Sequence, residues 1–167
     1  MPVLYLIATG APPAAELPAA IESFQSDGWQ VCVVATPMGL RFIDRPRVEN
    51  VTGYLIRSEY RQSGETDPFP PADAVAVAPC TFNTLNKWAA GISDTLALGI
   101  LNELLCSGLP IVASVWAKEP LRRHPAFQAS VGVLRSAGVR FVGDGSGPAA
   151  FEWLPLREAL LTAHAAE

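Results

Sequence analysis

The apolar positions of this chain fall into short continuous runs separated by stretches of helical spacing, and that alternation predicts the fold. Val3-Leu-Tyr-Leu-Ile-Ala8 is a strand-type run closed by Thr9-Gly10-Ala11. After Pro12 and Pro13, the residues Leu17, Ala20, Ile21 and Phe24 recur on one helical face until Asp27-Gly28, a stop signal. A second strand is expected over residues 29–35, ended by Thr36-Pro37 and followed by a short helical stretch through Met38, Leu40, Phe42 and Ile43. Residues 51–56 predict a third strand. Residues 58–73 are polar, and Pro68, Pro70 and Pro71 exclude a helix there. A loop of this length inside a compact domain is functional or mobile, so we expect a lid or a subunit-contact loop.

The second half continues the pattern. Ala74-Val-Ala-Val-Ala78 stops at Pro79 and turns through small polar residues into helical spacing over residues 85–91 and again over 95–106, which Gly108-Leu109-Pro110 terminates. Residues 111–115 predict a fifth strand and 116–125 a loop. A helix with Phe127, Val131, Leu134 and Ala137 on one face follows and ends at Gly138. A sixth strand over 139–142, a flexible loop over 143–148 and a terminal helix over 153–165 complete the chain. Six strands alternating with helices predict a single α/β domain over residues 1–167, with a Rossmann-like, doubly wound parallel sheet in three layers. Composition agrees: half the residues are hydrophobic and 17% charged, as expected when parallel strands are covered on both faces.

Charge narrows the partners. A net charge of −4 leaves no basic surface for nucleic acid or an anionic membrane, and Arg122-Arg123 is the one basic cluster. No apolar run is long enough to span a bilayer and no charged region precedes the first one, so a cytoplasmic protein is expected. Cys32, Cys80 and Cys106 have neither the close pairing of a disulfide framework nor metal-type spacing. Buried, reduced thiols are expected for Cys32 and Cys106, and no metal site.

Candidate chemistry gathers where strands end. In open α/β sheets ligands bind at the carboxyl ends of strands, where the first N–H groups of the following helix are unpaired. Thr81, Asn83 and Thr84 are placed to contact a polar ligand there; the equal alternative is that Thr81 or Asn83 is simply the helix cap. The Thr9-Gly10-Ala11 loop lies at a helix N-terminus, which favours a phosphate; the glycine alternatively lets strand and helix pack closely.

Pro79-Cys80-Thr81-Phe82-Asn83-Thr84, followed by Lys87, Gly91 and Asp94, resembles the P-A-S-A-N-T segment of the flavoproteins related to phosphopantothenoylcysteine decarboxylase and the lantibiotic peptidyl-cysteine decarboxylases. Pro79, Asn83 and Thr84 match, while Cys80 and Phe82 replace alanines. In that family this segment runs beside the isoalloxazine ring of FMN. Thr9-Gly10-Ala11 resembles the family's opening T-G-S or T-G-A loop, and Thr36 occupies the place of its phosphate-binding Ser or Thr. The resemblance covers roughly residues 3–142. It implies FMN as cofactor, held by Thr9, Gly10, Ala11, Thr36, Pro79, Cys80, Thr81, Asn83 and Thr84. It also implies a small-molecule or peptide substrate and a homo-oligomer, a trimer or a multiple of one, with the flavin near a subunit boundary.

Two parts of the family's catalytic apparatus have no counterpart. With His124-Pro125-Ala126 as anchor, Val115, Ala117 and Lys118 stand at the proline, methionine and asparagine of the P-x-M-N-x-x-M-W pattern. The family's catalytic histidine precedes the central strand, and residues 65–73 contain none. Lys118 and His124 are weak catalytic candidates; the bland alternatives are a solvated loop lysine and a helix-capping histidine. Pro79-Cys80-Thr81 and Lys118-Glu119-Pro120-Leu121 also look similar to the P-C-S and R-E-x-P-L segments of the flavin prenyltransferases. The basic residues which that family carries in the helix after the Asp94 position are absent from Thr95-Leu-Ala-Leu-Gly-Ile-Leu-Asn-Glu. The expectation is a divergent flavoenzyme acting on a small thiol or peptide in a specialised pathway. A catalytically silent FMN-binding or regulatory protein is the alternative, and a prenyltransferase-like enzyme the second.

Overall fold

A computed structural model describes residues 1–143 and 151–164; the loop expected at 143–148 lies almost wholly outside the described residues. Five parallel strands, β1 (Val3–Ala8), β2 (Gln30–Ala35), β3 (Ala74–Thr81), β4 (Ile111–Trp116) and β5 (Arg140–Val142), form one sheet in the order β2-β1-β3-β4-β5. The chain leaves β1 toward one edge and returns past it to build β3, β4 and β5 on the other side. The doubly wound, Rossmann-like class is therefore the observed one, with a switch point between β1 and β3.

Alternation along the strands divides the core in two. Tyr5, Ile7, Val75 and Val77 face a layer made by α3 (Phe82–Ala89), α4 (Leu96–Leu104) and α6 (Pro125–Ser136). Leu4, Leu6, Ala74 and Ala76 face α1 (Leu17–Ser26), α2 (Arg45–Thr52) and α7 (Leu154–His164). A short helix, α5 (Glu119–Arg122), lies in the β4–α6 loop.

Three expectations are corrected. Residues 51–56 are not a strand: Val51 and Thr52 close α2, whose start is capped by the Asp44 carboxylate accepting from Arg47 N–H at 3.3 Å and whose end is the left-handed Gly53. The β-branched residues there invite a strand reading, but the capping chemistry on either side wins. Only Arg57 pairs with the sheet, bridging Val34 at the outer edge. Second, β3 does not stop at Pro79. It continues to Thr81 through a register shift between Val77 and Cys80, where β4 advances from Ala113 to Val115. The extra residue is a β-bulge, a position where a residue without an N–H is tolerated inside a sheet, and it returns Cys80 to the core face of Val75 and Val77. Third, Cys106 is exposed, because α4 ends at Leu104 and the cysteine lies past the buried helical stripe.

The long loop is tethered. Phe69 is buried between Tyr5 and Tyr54, Arg57 pairs with Asp67 at 3.0 Å, and the Tyr60 hydroxyl donates to the carbonyls of Ser93 and Thr95. At the opposite end of the chain, α7 is fastened by Arg157, whose Nε and Nη2 donate to Asp27 at 2.5 and 2.6 Å.

This guanidinium holds the Asp27 carboxyl below its ordinary range by hydrogen bonding. A lowered carboxyl pKa stabilises the fold above the unfolded-state value and loses that contribution as pH falls through the folded-state value. Arg157→Gln is therefore expected to lower stability modestly at neutral pH in urea denaturation. Its deficit relative to wild type should close as pH drops below about 4, near the unfolded carboxyl value.

Candidate functional site at the sheet's switch point

The loops after β1, β2 and β3 converge at the carboxyl edge because each is packed against the next. A Cβ on Gly10 would lie 2.8 Å from Cβ of Met38, and one on Gly39 would lie 2.6 Å from the carbonyl oxygen of Ala8. Small residues are needed at both contacts to bring the β2 loop onto the end of β1. Thr36 closes this turn, its Oγ1 accepting from Gly39 N–H at 3.0 Å.

Thr9 joins β1 to β3. It is fully buried, its hydroxyl donates to the Pro79 carbonyl at 2.7 Å, and the same oxygen accepts from Thr81 N–H at 3.0 Å. The Thr9 N–H also donates to the Pro79 carbonyl, at 3.2 Å. The bulge is thus held from the neighbouring strand. Immediately beyond it, Thr81 caps α3, accepting from Thr84 N–H at 3.4 Å and donating to the Thr84 hydroxyl at 3.3 Å.

These contacts leave a cavity of about 350 Å³ walled by Gly10, Thr36, Thr81, Asn83, Thr84 and Lys87, with Pro37, Met38, Thr95 and Leu98 completing it. Five of the expected cofactor residues therefore share one wall: Gly10, Thr36, Thr81, Asn83 and Thr84. The other four, Thr9, Ala11, Pro79 and Cys80, are buried and do not line it; Thr9 ties the strands together, and burial pushes the Cys80 thiol up to about 12, an unreactive state. Burial likewise raises Cys32 to about 11.

Lys87, Thr95, Met38 and Leu98 were not anticipated as site residues. The signal for Lys87 was available, since Asn83 and Lys87 are four apart and so share a helix face. Lys87 is held by Asp94 at 2.5 Å.

Lys118 is exposed and makes no capping hydrogen bond at the start of α5. His124 caps α6, its Nδ1 accepting from Ala126 N–H at 3.0 Å, and its ring meets Phe82 edge-on at 5.5 Å. The β4–α6 loop thus sits against the first residue of α3, beside the cavity but outside its wall. The wall consists of hydroxyls, one carboxamide, apolar side chains and a single ammonium, with no histidine and no carboxylate among the described residues. Such a set binds phosphate and hydroxyl groups well and offers little for acid–base work. No group of His, Cys, Asp and Glu suited to a metal ion occurs among the described residues, and no described helix is long and apolar enough to cross a membrane.

In doubly wound sheets of this kind the switch point is where ligands bind. Residues 2–160 match the family model described as Flavoprotein, and the chain belongs to the flavoprotein family. Among curated proteins it is 36% identical over 76 residues, 46% of this chain, to a cysteine/cysteine sulfinic acid decarboxylase from an unknown prokaryotic organism. The chain spans about a fifth of the length of the curated relatives it matches. Among solved structures, a mutant of PPC decarboxylase superposes with a TM-score of 0.85 at 18% identity, covering 100% of both chains. The FMN-dependent cysteine decarboxylase SpaF superposes at 0.77 and 20% identity, covering 98% of this chain and 97% of its own. At these identities the structural likeness establishes the fold alone.

The hydroxyl of Thr9 is the one side-chain group holding the Thr81 N–H, and valine keeps its shape while removing the hydrogen bonds. Thr9→Val is expected to cost about 1–3 kcal/mol in chemical denaturation, the penalty for a buried donor left unpaired. A change below a few tenths of a kcal/mol would show that the linkage between β1 and β3 is dispensable.

Proposed function

We propose that this protein binds FMN in the cavity between the β1, β2 and β3 loops and is a divergent flavoenzyme acting on a small thiol or peptide. One observation carries the reading: Gly10, Thr36, Thr81, Asn83 and Thr84 line a single cavity at the switch point of a flavoprotein-family chain. The FMN dependence of SpaF and the cysteine decarboxylase activity named for the curated relative support the cofactor and the substrate class. The donor set fits the group. Thr36 and the Gly10 backbone suit the phosphate, and Thr81, Asn83 and Thr84 at the start of α3 suit the polar edge of the ring system and its side chain. FMN, when bound, supplies the two-electron acceptor. The chain's own residues bind and orient, and Leu98 adds an apolar surface to the cavity.

A catalytically silent flavin-binding protein is the second reading, favoured by the cavity wall's lack of any histidine or carboxylate. We also read the protein as a homo-oligomer, a trimer or a multiple of one. Met38, Leu55 and Tyr60, each more than half exposed, leave apolar surface around the β2 loop and the long tethered loop.

Protein expressed with ample riboflavin is expected to purify yellow, with a flavin spectrum and FMN released on denaturation, and to scatter light as an oligomer. Asn83→Ala and Thr36→Val should each weaken FMN retention roughly 10-fold, about the value of one hydrogen bond. Colourless protein that takes up no FMN on titration would refute the cofactor assignment, and a monomer at micromolar concentration would refute the assembly.

Phosphopantothenoylcysteine and peptides ending in cysteine are expected to be poor substrates. Lys118 is an ammonium that only donates hydrogen bonds, where the resemblance calls for an asparagine that also accepts them. A missing general base typically costs ~100- to 10,000-fold. Carbon dioxide release and product mass under oxygen measure this, and turnover equal to that of an authentic cysteine decarboxylase would sink the reading of the β4–α6 loop.

A further inference from the structure

Lys87 bears the single charge on the cavity wall among the described residues, and the reading above assigns it no role. We infer that Lys87 is the residue that makes the cavity select an anionic, phosphorylated flavin over its uncharged parent, with Asp94 as the group that holds its ammonium in place. This inference rests on the flavin reading of the cavity and adds the basis of its selectivity.

The geometry carries it in three steps. Lys87 lies one helical turn beyond Asn83 on α3 and lines the same cavity as Gly10 and Thr36. Asp94 does not line the cavity; it binds the ammonium through Oδ2 at 2.5 Å. An ammonium has three N–H donors, so the ion pair fixes the group and leaves donors for a ligand.

The obvious competing role is to staple the α3–α4 turn, and that turn is already held without the pair. Ile92 N–H donates to the Lys87 carbonyl and Gly91 N–H to the Trp88 carbonyl. Asn102 donates to the Ile92 carbonyl and the Ser93 hydroxyl. The Tyr60 hydroxyl reaches the carbonyls of Ser93 and Thr95, on either side of Asp94. The Lys87 side chain is also only about one-third exposed, so its charge is screened less than that of a free surface lysine. In a protein of net charge −4, the overall field opposes an anion, and a fixed local cation offsets that opposition.

The test compares FMN with riboflavin, which lacks the phosphate. Dissociation constants for both are measured by quenching of flavin fluorescence, on wild type and Lys87→Met, at low and at physiological salt. Methionine keeps the stem and removes the charge. Wild type should prefer FMN, and Lys87→Met should lose on the order of 10- to 100-fold in FMN affinity, the range for a hydrogen bond to a charged group. Riboflavin affinity should stay within about 3-fold, and the salt dependence of FMN binding should flatten. An unchanged preference for FMN in Lys87→Met would overturn the inference. So would an equal loss for both flavins, since that marks a lysine that only supports the turn. A wild type that binds neither flavin would overturn the flavin reading of the cavity and this inference with it.

Discussion

The carboxyl edge of the sheet depends on one buried hydroxyl. Thr9 donates to the Pro79 carbonyl and accepts from the Thr81 N–H, so a single side chain satisfies both ends of the segment that departs from regular pairing. In parallel sheets a bulge leaves backbone groups without ladder partners, and buried groups of that kind cost free energy unless something meets them. Because the partner is the first residue after β1, in the loop that leads to α1, the β1 and β3 loops are held together. The switch point is thereby a fixed crevice, and the start of α3 is aimed by the same contact.

The cavity is built from groups that already have intramolecular roles. Thr36 caps its own turn, Thr81 caps α3, and the two glycines permit approaches that a Cβ would prevent. Polar groups held in this way lose little further freedom when a ligand arrives, which is the physical content of preorganisation. Capping and ligand binding are compatible here, because a hydroxyl oxygen that accepts one hydrogen bond retains a second lone pair, and its neighbours in the first helical turn still present free N–H groups.

The wall offers hydroxyls, a carboxamide and a tethered ammonium, while the histidine of the adjoining loop spends its Nδ1 on the α6 N-terminus. The loop from Trp116 to Pro125 lies beside Phe82 at the head of α3, outside the cavity wall.

The alternation of apolar runs and helical spacing determined the layers, because a parallel strand covered on both faces must be apolar throughout and a covering helix must be apolar on one stripe. The same pattern located the loops after β1 and β3, and with them Gly10, Thr81, Asn83 and Thr84, while Thr36 was singled out by the family resemblance. It misassigned residues 51–56, where β-branched side chains outweighed the Asp44 and Gly53 caps, and it stopped β3 at a proline that the bulge accommodates. Local sequence could not separate Thr9 from Gly10, or Cys80 from Thr81, since neighbours in a loop have equal claims until packing decides which faces the cavity. That decision was tertiary. It came from a hydroxyl on one strand reaching the bulge on another, seventy residues away, and from an ammonium one helical turn along α3 being pinned by a carboxylate beyond the helix end. Both contacts are between residues whose proximity exists only in the folded chain.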